Sequence, residues 1–531
     1  MTHRAPARVE GQLLLTTTRT HQRLPPLLLL PVLSGIIAWA SFPKLSQSYL
    51  AWVALVPLIF YVARVRRPRS AFLGGALAGM LQFLALLYWI PRVLTHYGGL
   101  PAPGAWSLFI LMAAILGCYP AAACALTRFC MNRGGSGFLL ILAPAWVTLD
   151  YVRSLFPFGG FPWLMVGYSQ ADYLRLIQIA DLAGVYAVSF LIVWVNVVIA
   201  WVLVHRSYNG LATLGAAAML AGALAYGTGS LHRWDRTQPE YRAALLQGNL
   251  SVDVPESALA WKYQQGYVQM ADRLGPARID LLVLPEAPSP VIFQHDPGYQ
   301  EIQRSLAQRF PLGLVFNNIY FREVEGTSRY FNSAFFLDRN GTEVGRYDKI
   351  HLVPFGEYIP LQKLFFFSET ISKDVGNFYP GNSFVTVPLG GHLTNVIICF
   401  EAVFPELSRQ FIRRGSQLII NLTNDAWYGD TSAPYQHLTM ARWRAVECRR
   451  YLLRAANSGI SAIVEPSGRI QVQTGLLRED TAVGGFAFLS GETFYARHGD
   501  SFPILCVIII CLALLWSLMR GTRLPVFPAH P

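Results

Sequence analysis

Hydrophobic residues follow two rhythms along this chain. Up to about residue 230, and again from Phe502 to Met519, they run together in long blocks with few charges. Between Trp234 and Asp500 they break into short apolar runs separated by stretches with helical spacing. A run of about 20 apolar residues can cross a bilayer as a helix, because hydrocarbon leaves each backbone N–H and C=O no partner outside its own segment. The long blocks therefore predict spans near 25–42, 49–63, 71–91, 105–127, 136–152, 179–204 and 210–230, with an eighth near 502–519. The second is short, and glycines interrupt the third. The expected organisation is a tail at 1–24, a seven-span membrane domain at 25–230, a domain outside the membrane at 231–501, an eighth span at 502–519 and a second tail at 520–531.

The middle region reads as an α/β domain. "YRAALLQGN", "DLLVLPEA", "PLGLVFNNIYF", "SAFFLDRNGTEVGRY", "TNVIICFEA", "SQLIINLTND", "GISAIVEPSGRI" and "TAVGGFAFL" carry strand patterns, with Asn340-Gly341 as a hairpin signal. Pro255 to Leu274, "PGYQEIQRSLAQRF", Pro405 to Arg414 and Pro434 to Ala456 carry helical ones. Alternation of the two predicts a layered domain, and strands that are apolar without alternation are expected to be buried on both faces. No internal repeat or low-complexity tract interrupts it.

Composition sharpens the membrane reading. Of 531 residues, 53% are hydrophobic and only 14% charged, whereas soluble domains approach a quarter charged. Positive charge is unevenly placed. With a cytoplasmic N-terminus, the inside segments hold Arg4, Arg8, Arg19, Arg23, Arg64, Arg66, Arg67, Arg69, Arg128, Arg133, Arg206, Arg520 and Arg523, against Lys44, Arg92, Arg153 and Arg175 outside. Thirteen against four fits the positive-inside bias. It places the middle domain on the outer face and both termini in the cytoplasm, and it accounts for much of the net charge of +12 without a nucleic-acid partner. Met1 to Arg23 is polar and the first apolar run is long, so no cleavable leader is expected.

Of the seven cysteines, only Cys399 and Cys448 fall in the middle domain, too few for a disulfide framework. Cys399 sits in "VIICFEAVFPE", where an apolar run gives way to a helix opening at Pro405. It is either a small core residue or a reactive thiol, and an exposed thiol in an oxidising compartment needs a use. Chemistry in α/β sheets gathers at the carboxyl ends of strands. Glu286 closes "LLVLPEA", Lys349 follows the hairpin strand in "GRYDKIHLVPFGEY", and Cys399 closes "NVIIC". A carboxylate to take the thiol proton, a thiolate to attack a carbonyl and an ammonium to hold the oxyanion make a complete nucleophilic set, with the N–H of Phe400 as a second donor. Each also has a plain structural reading: Glu286 as a solvated loop residue, Lys349 and Asp348 as a surface ion pair, Glu357 and Glu401 as surface charges. His351 and His437 lack partners at metal-ligand spacing and are read as structural, so no metal is expected. Asn421 opens a glycosylation sequon inside a core strand, and the charges from Arg442 to Arg454 are read as a polar helix face.

"LLVLPEA", "GRYDKIHLVPFGEYIP" and "VIICFEAVFPE", in that order, resemble the nitrilase, or carbon-nitrogen hydrolase, superfamily. With spans on both sides, and with "GFPWLMVGYSQ" and "NLTNDAWYGDTSAPYQHLTMARWRAVECRRYLLRAANSG", the chain from about residue 25 onwards resembles its membrane-embedded branch, the apolipoprotein N-acyltransferases. The resemblance implies an αββα sandwich outside the membrane with Cys399 as nucleophile, Glu286 as general base and Lys349 as oxyanion stabiliser. It implies Glu357 as an acid that orients the lysine and the incoming amine, and Glu401 as the acid two residues after the nucleophile. The family often has tyrosine directly after the cysteine, where this chain has Phe400, so a hydroxyl is lost and the backbone donor kept. The implied reaction moves an acyl chain from a phospholipid, typically phosphatidylethanolamine, through a thioester to the α-amine of a diacylglyceryl-cysteine on an apolipoprotein. No cofactor is implied, and the location is a bacterial inner membrane with the catalytic domain periplasmic. Trp163, Trp261, Trp427 and Tyr428 are candidates to line acyl chains and Arg153 to meet a lipid phosphate, although tryptophans near membrane interfaces also serve as plain anchors. The rival readings are a membrane-tethered amidase or nitrilase, which leaves eight spans unexplained, and a transporter, which would put paired ionisable groups deep in the spans where only Asp150 and Asp181 lie near predicted ends.

Overall fold

The computed structural model describes residues 27–234, 236–251, 260–275, 278–286, 291–324, 326–354, 356–358 and 378–520. The predicted N-terminal tail, the start of the helix expected from Pro255 and the tail beyond residue 520 lie outside the described residues. Two short apolar helices come first, α1 (Leu29–Ala40) and α2 (Ser48–Arg64). Six further helices are long and apolar enough to cross a membrane: α3 (Pro68–Leu86), α4 (Ala102–Gly134), α5 (Ser136–Leu155), α6 (Ala180–His205), α7 (Gly210–Trp234) and, at the far end of the chain, Ser501–Met519. The expected count of eight spans is thus met by six on length. The 12 residues of α1 rise about 18 Å, against a hydrocarbon core of about 30 Å. In α2 the helix breaks at Leu55, ahead of Pro57, whose ring cannot continue a helix backbone. Neighbouring helices satisfy the exposed groups: Asn196 Oδ1 accepts from Leu55 N–H at 2.9 Å and Ser34 Oγ from Leu58 N–H at 2.8 Å.

The glycines that interrupt the third predicted span are where α3 and α4 touch. A Cβ on Gly75 would lie 2.6 Å from the Cα of Ala121, and one on Gly79 would lie 2.5 Å from Cγ of Pro120. Small residues let helix backbones approach where no hydrophobic effect drives them together. α4 also runs past its predicted end, so Arg128, counted above among loop charges, lies buried within it and donates to the carbonyl of Ala63.

The middle domain is built of two six-stranded sheets. The first contains β1 (Tyr241–Gln247), β2 (Leu281–Val283), β3 (Gly313–Val324), β4 (Thr327–Leu337) and β5 (Glu343–Asp348). The second contains β6 (Val387–Leu389), β7 (His392–Ile398), β8 (Leu418–Thr423), β9 (Leu452–Ala456), β10 (Ala462–Val464) and β11 (Ile470–Gln473). The last strand, β12 (Asp480–Phe486), returns to pair antiparallel with β1. β1, β2 and β3 run parallel, as do β7, β8 and β9. The sheets face each other across one core, in which Leu245, Val283 and Phe336 of the first share a cluster with Val396, Ile398 and Ile420 of the second. The outer face of the first sheet is covered by Tyr267, Tyr299 and Leu306. The outer face of the second is covered by α8 (Pro405–Ile412) and α9 (Ala433–Cys448), through Phe411, Ala441 and Ala445. The layers are therefore α, β, β, α, as the resemblance implies.

α9 does a second job. Its other side, with Met440, Trp443 and Val446, belongs to the core of the membrane helices. A helix packed on two sides has no solvated face, which overturns the reading of Arg442 to Arg454 as one. Arg442 pairs with Asp172 at 2.7 Å, Arg444 with Glu447 at 3.0 Å, Arg449 with Asp181 at 2.7 Å and Arg454 with Asp425 at 2.8 Å. Arg450 donates to the carbonyls of Ser416 and Gly491. The helix predicted to reach Ala456 also stops early: Arg449 takes a left-handed φ of 52° and the chain turns into β9. β9 then lies parallel to β8, so "LLRAA" serves as a strand between two others.

Candidate active site

Three strands bring the predicted residues together at their carboxyl ends. Glu286 follows β2, Lys349 is the first residue after β5, and Cys399 is the first after β7. Lys349 is buried, with its Nζ 2.9 Å from Glu357 Oε2 and 3.5 Å from Glu286 Oε1. Asn332 on β4 donates through Nδ2 to Oε1 of both Glu286 and Glu357, at 2.8 Å each. The remaining oxygens are held by backbone: Glu286 Oε2 accepts from Asn424 N–H at 3.0 Å, and Glu357 Oε2 from Val353 N–H at 2.8 Å. The plain readings of Glu286, Lys349 and Glu357 as surface charges are therefore overturned by where these residues sit.

Glu401 is not a surface charge either. Its buried Oε1 accepts from the hydroxyl of Tyr347 at 2.7 Å and from the N–H groups of Ile350 and His351, at 2.8 and 3.0 Å. Its Oε2 accepts from Ile398 N–H at 2.7 Å. One carboxylate thus fastens the residue before Cys399 to the two residues after Lys349, and holds the nucleophile candidate in register with the ammonium.

Cys399 begins a single turn (Cys399–Val403) with φ of 50°. For a residue with a Cβ this left-handed backbone costs about 1–3 kcal/mol and persists where surroundings impose it, often at functional sites. Cys399 is 6% exposed; the cysteine is nearly covered, and burial alone does not separate the two readings left open by the sequence. Its electrostatics also differ from a ready-made thiolate. Burial and then the Glu286 carboxylate push the thiol up from its ordinary range, while Lys349 and the Thr423 hydroxyl pull the other way. At neutral pH the resting thiol is therefore protonated, and ionisation must accompany attack rather than precede it. Burial alone would lower Lys349, but the carboxylates of Glu357 and Glu286 outweigh it and hold the ammonium charged. Together these side chains can pass a proton from sulfur to carboxylate beside a fixed positive charge.

The comparisons give this geometry its setting. Residues 34–198 match the family described as the apolipoprotein N-acyltransferase N-terminal domain, and residues 242–487 match carbon-nitrogen hydrolase. An apolipoprotein N-acyltransferase of Geobacter metallireducens is 40% identical over 90% of this chain and 93% of its own length. The chain belongs to the apolipoprotein N-acyltransferase family. Proteins of the same name from Methylococcus capsulatus and Pasteurella multocida are 32% and 29% identical, each over 92% of this chain and 96% and 94% of their own. Because the likeness includes the membrane half, this N-acyltransferase family chain is set apart from an amidase that shares only the second domain.

The remaining candidates scatter. Trp163 is buried, not at an open mouth: its Nε1 donates to Gln436 Oε1 at 2.9 Å, and its ring lies 6.5 Å from that of Phe400 and 6.0 Å from His437. Arg153 is buried in the last turn of α5, and donates to Asp150 at 3.0 Å and to the carbonyls of Phe161 and Trp163 at 2.9 Å each. Three of its N–H groups are engaged by protein and the residue is 2% exposed, an environment that leaves little of it open to the lipid phosphate expected of it. Trp427 packs edge-on against Tyr97, and Tyr428 against Trp89, where the membrane domain meets the site. Trp261 is exposed in the described piece of the helix after β1. Among the described residues no group of three or more His, Cys, Asp or Glu is arranged to hold a metal ion.

Sequence reading missed Asn332, Thr423, Asn424 and His437 as parts of this site. The available signal was polarity out of place: Asn332 lies inside the apolar "YFNSAFFL" and Thr423 ends an otherwise apolar strand.

Proposed function

We propose that this protein transfers an acyl chain from a phospholipid, phosphatidylethanolamine for preference, through a thioester on Cys399 to the α-amine of an N-terminal diacylglyceryl-cysteine. The observation that carries the reading is the meeting of Glu286, Lys349 and Cys399 at the strand ends of a domain whose outer helix packs into membrane helices. In the first half-reaction the Glu286 carboxylate takes the proton from Cys399 as sulfur bonds to the ester carbonyl carbon. The carbonyl oxygen becomes an oxyanion facing the Lys349 ammonium and the Phe400 N–H. Collapse breaks the ester C–O bond, and Glu286 returns the proton to the departing lysophospholipid alcohol. In the second half the amine attacks the thioester and loses a proton to Glu286. The C–S bond then breaks, and Glu286 reprotonates the thiolate.

Glu357 supports this by holding Lys349 at 2.9 Å, closer than Glu286 at 3.5 Å, so the ammonium is oriented by one carboxylate while the other is left to exchange protons. The near-complete cover over Cys399 suits a thioester that must meet an amine before it meets water. In this reading the six long helices, with α1 and α2 completing an eight-segment membrane domain, keep the site at the surface where both lipid substrates diffuse. The charge asymmetry of the short loops supports a periplasmic catalytic domain at the inner membrane with both termini in the cytoplasm.

The test is to incubate purified enzyme with phospholipid alone and weigh the peptide containing Cys399. One acyl mass is expected on that peptide, lost on later addition of a diacylglyceryl peptide, which becomes N-acylated. Cys399→Ala should give neither product while remaining folded in detergent. Turnover by that variant, or an unmodified Cys399 peptide during confirmed turnover, would refute the covalent route.

A further inference from the structure

His437 lies on α9 with its ring wholly buried. Its Nε2 is 3.0 Å from the carbonyl oxygen of Cys399, and its Nδ1 is 2.9 Å from Asp425 Oδ1 and 3.2 Å from Arg454 NH2. A carbonyl oxygen only accepts, so Nε2 carries a hydrogen in either protonation state of the ring. The ring is held from behind as well. Arg454 on β9 donates to Asp425 Oδ2 at 2.8 Å and to Asn421 on β8. Both ring nitrogens are thus taken up by partners other than the thiol, which separates this arrangement from a cysteine–histidine dyad.

The Cys399 carbonyl needs such a partner because it lies past the end of the ladder. Pairing of β7 with β8 ends at Ile398 and Leu422, and the next residue turns to a left-handed φ. A trans peptide points its C=O and N–H in opposite directions. Whatever grips the carbonyl of Cys399 therefore also sets the direction of the Phe400 N–H. We infer that His437, seated by Asp425 and Arg454, is a positioning residue that locks the Cys399–Phe400 peptide with its N–H turned to the developing oxyanion. The inference rests on the reading of Cys399 as the acylated nucleophile and assigns His437 no proton transfer with substrate.

Two reactions at the same sulfur separate this role from a structural or basic one. Acylation by phospholipid passes through an oxyanion; disulfide formation with methyl methanethiosulfonate does not. Both rates are read on the Cys399 peptide by mass, in full-length protein in detergent. In His437→Ala the acylation rate should fall about 10²-fold, the usual effect of losing one oxyanion donor, while the thiosulfonate rate stays within about threefold. His437→Gln, which offers a side-chain N–H in its place, should recover most of the acylation rate. Equal loss of both rates, or no loss of acylation, overturns the inference. Should His437→Ala not fold, replacing the residue 400 amide by an ester removes the same N–H without touching the histidine and should cost acylation alone; an unchanged ratio there overturns it. Wild-type protein that gains no acyl mass on Cys399 would instead defeat the underlying reading of the nucleophile.

Discussion

Arg153 and Lys349 are both buried cations set against carboxylates, yet they stand in differently charged company. Arg153 has one carboxylate, Asp150 at 3.0 Å, and gives its other hydrogen bonds to the carbonyls of Phe161 and Trp163. Lys349 has two, Glu357 at 2.9 Å and Glu286 at 3.5 Å. In the first cluster the charges cancel, and a proton moved to Asp150 would strand a cation. In the second, one carboxylate is in excess, so Glu286 can accept a proton and leave Lys349 still paired with Glu357. Burial of charge is common to both; in the proposed mechanism the unequal count is what lets one of them exchange a proton. The balanced pair instead fixes the loop that delivers Trp163 to Gln436 and the neighbourhood of Phe400.

Substitutions in the two clusters should therefore produce opposite symptoms. Glu286→Gln keeps shape and most hydrogen bonds but cannot take a proton, so single-turnover acylation of Cys399 should fall roughly 10²- to 10⁴-fold with little change in the unfolding midpoint. Arg153→Met should do the reverse. It leaves Asp150 buried without its counter-ion, a loss of about 3–5 kcal/mol, while protein that remains folded should acylate Cys399 at near the normal rate. An Arg153 variant that kept its stability and lost acylation as Glu286→Gln does would show that the two clusters do not differ as argued.

What the sequence made legible follows the same division. Glu286, Lys349 and Cys399 could be found because each closes or follows an apolar run, and a strand end is visible in one dimension. Asn332 stood out only as a polar residue in an apolar strand, and its role was not legible, because it lies in touching Glu286 and Glu357 at once, a contact that exists only after β4 has paired between β3 and β5. The arginines from 442 to 454 misled for a related reason. Periodicity says which residues share a face, not whether that face meets water, and α9 is packed between a sheet and the membrane helices. The six long spans were plain from composition. α2 was already short as an apolar run, and Pro57 with the cross-helix bond from Leu55 to Asn196 marks a break within it that apolar length did not reveal.

A second pair of variants sharpens the balanced side. Joining Asp150→Asn to Arg153→Met removes the stranded anion and should restore part of the lost stability, on the order of 1–2 kcal/mol. Recovery will be incomplete because the carbonyls of Phe161 and Trp163 still lack the donor that Arg153 supplied. Thermal unfolding in detergent of the single and double variants reads the difference. No recovery would mean that Arg153 acts through those carbonyls alone.

On the unequal side, Glu286 should also show itself by an effect of opposite sign. After burial, its carboxylate is the main influence that raises the Cys399 thiol. Glu286→Gln should therefore let the thiol ionise at lower pH. At pH 9, where reaction with methyl methanethiosulfonate follows the thiolate fraction, the variant should react several-fold faster than wild type, since each unit of pKa is about a factor of ten in that fraction. Acylation at pH 7 falls in the same protein. Loss of both rates would point to a disturbed site rather than a missing base.

The smallest expected effect concerns His351, two residues beyond the lysine. Burial and then the Lys349 ammonium push it down to about 4 from the ordinary 6.5. Above pH 6.5 the ring is neutral whether the chain is folded or not, and its contribution is intact. As pH falls from 6.5 towards 4 the unfolded chain binds a proton that the folded chain refuses, so stability must drop across that window. The ring lies 3.8 Å from that of Phe404 and is partly exposed, which keeps the effect modest. His351→Phe keeps the ring contact and removes the titration, so its unfolding midpoint should fall less than wild type's between pH 7 and pH 5. Adding Lys349→Met should lift the histidine back towards its ordinary range and flatten the dependence in protein that retains His351. A dependence unaltered by Lys349→Met would mean that burial alone sets His351, and that the ammonium's charge is spent entirely on its two carboxylates.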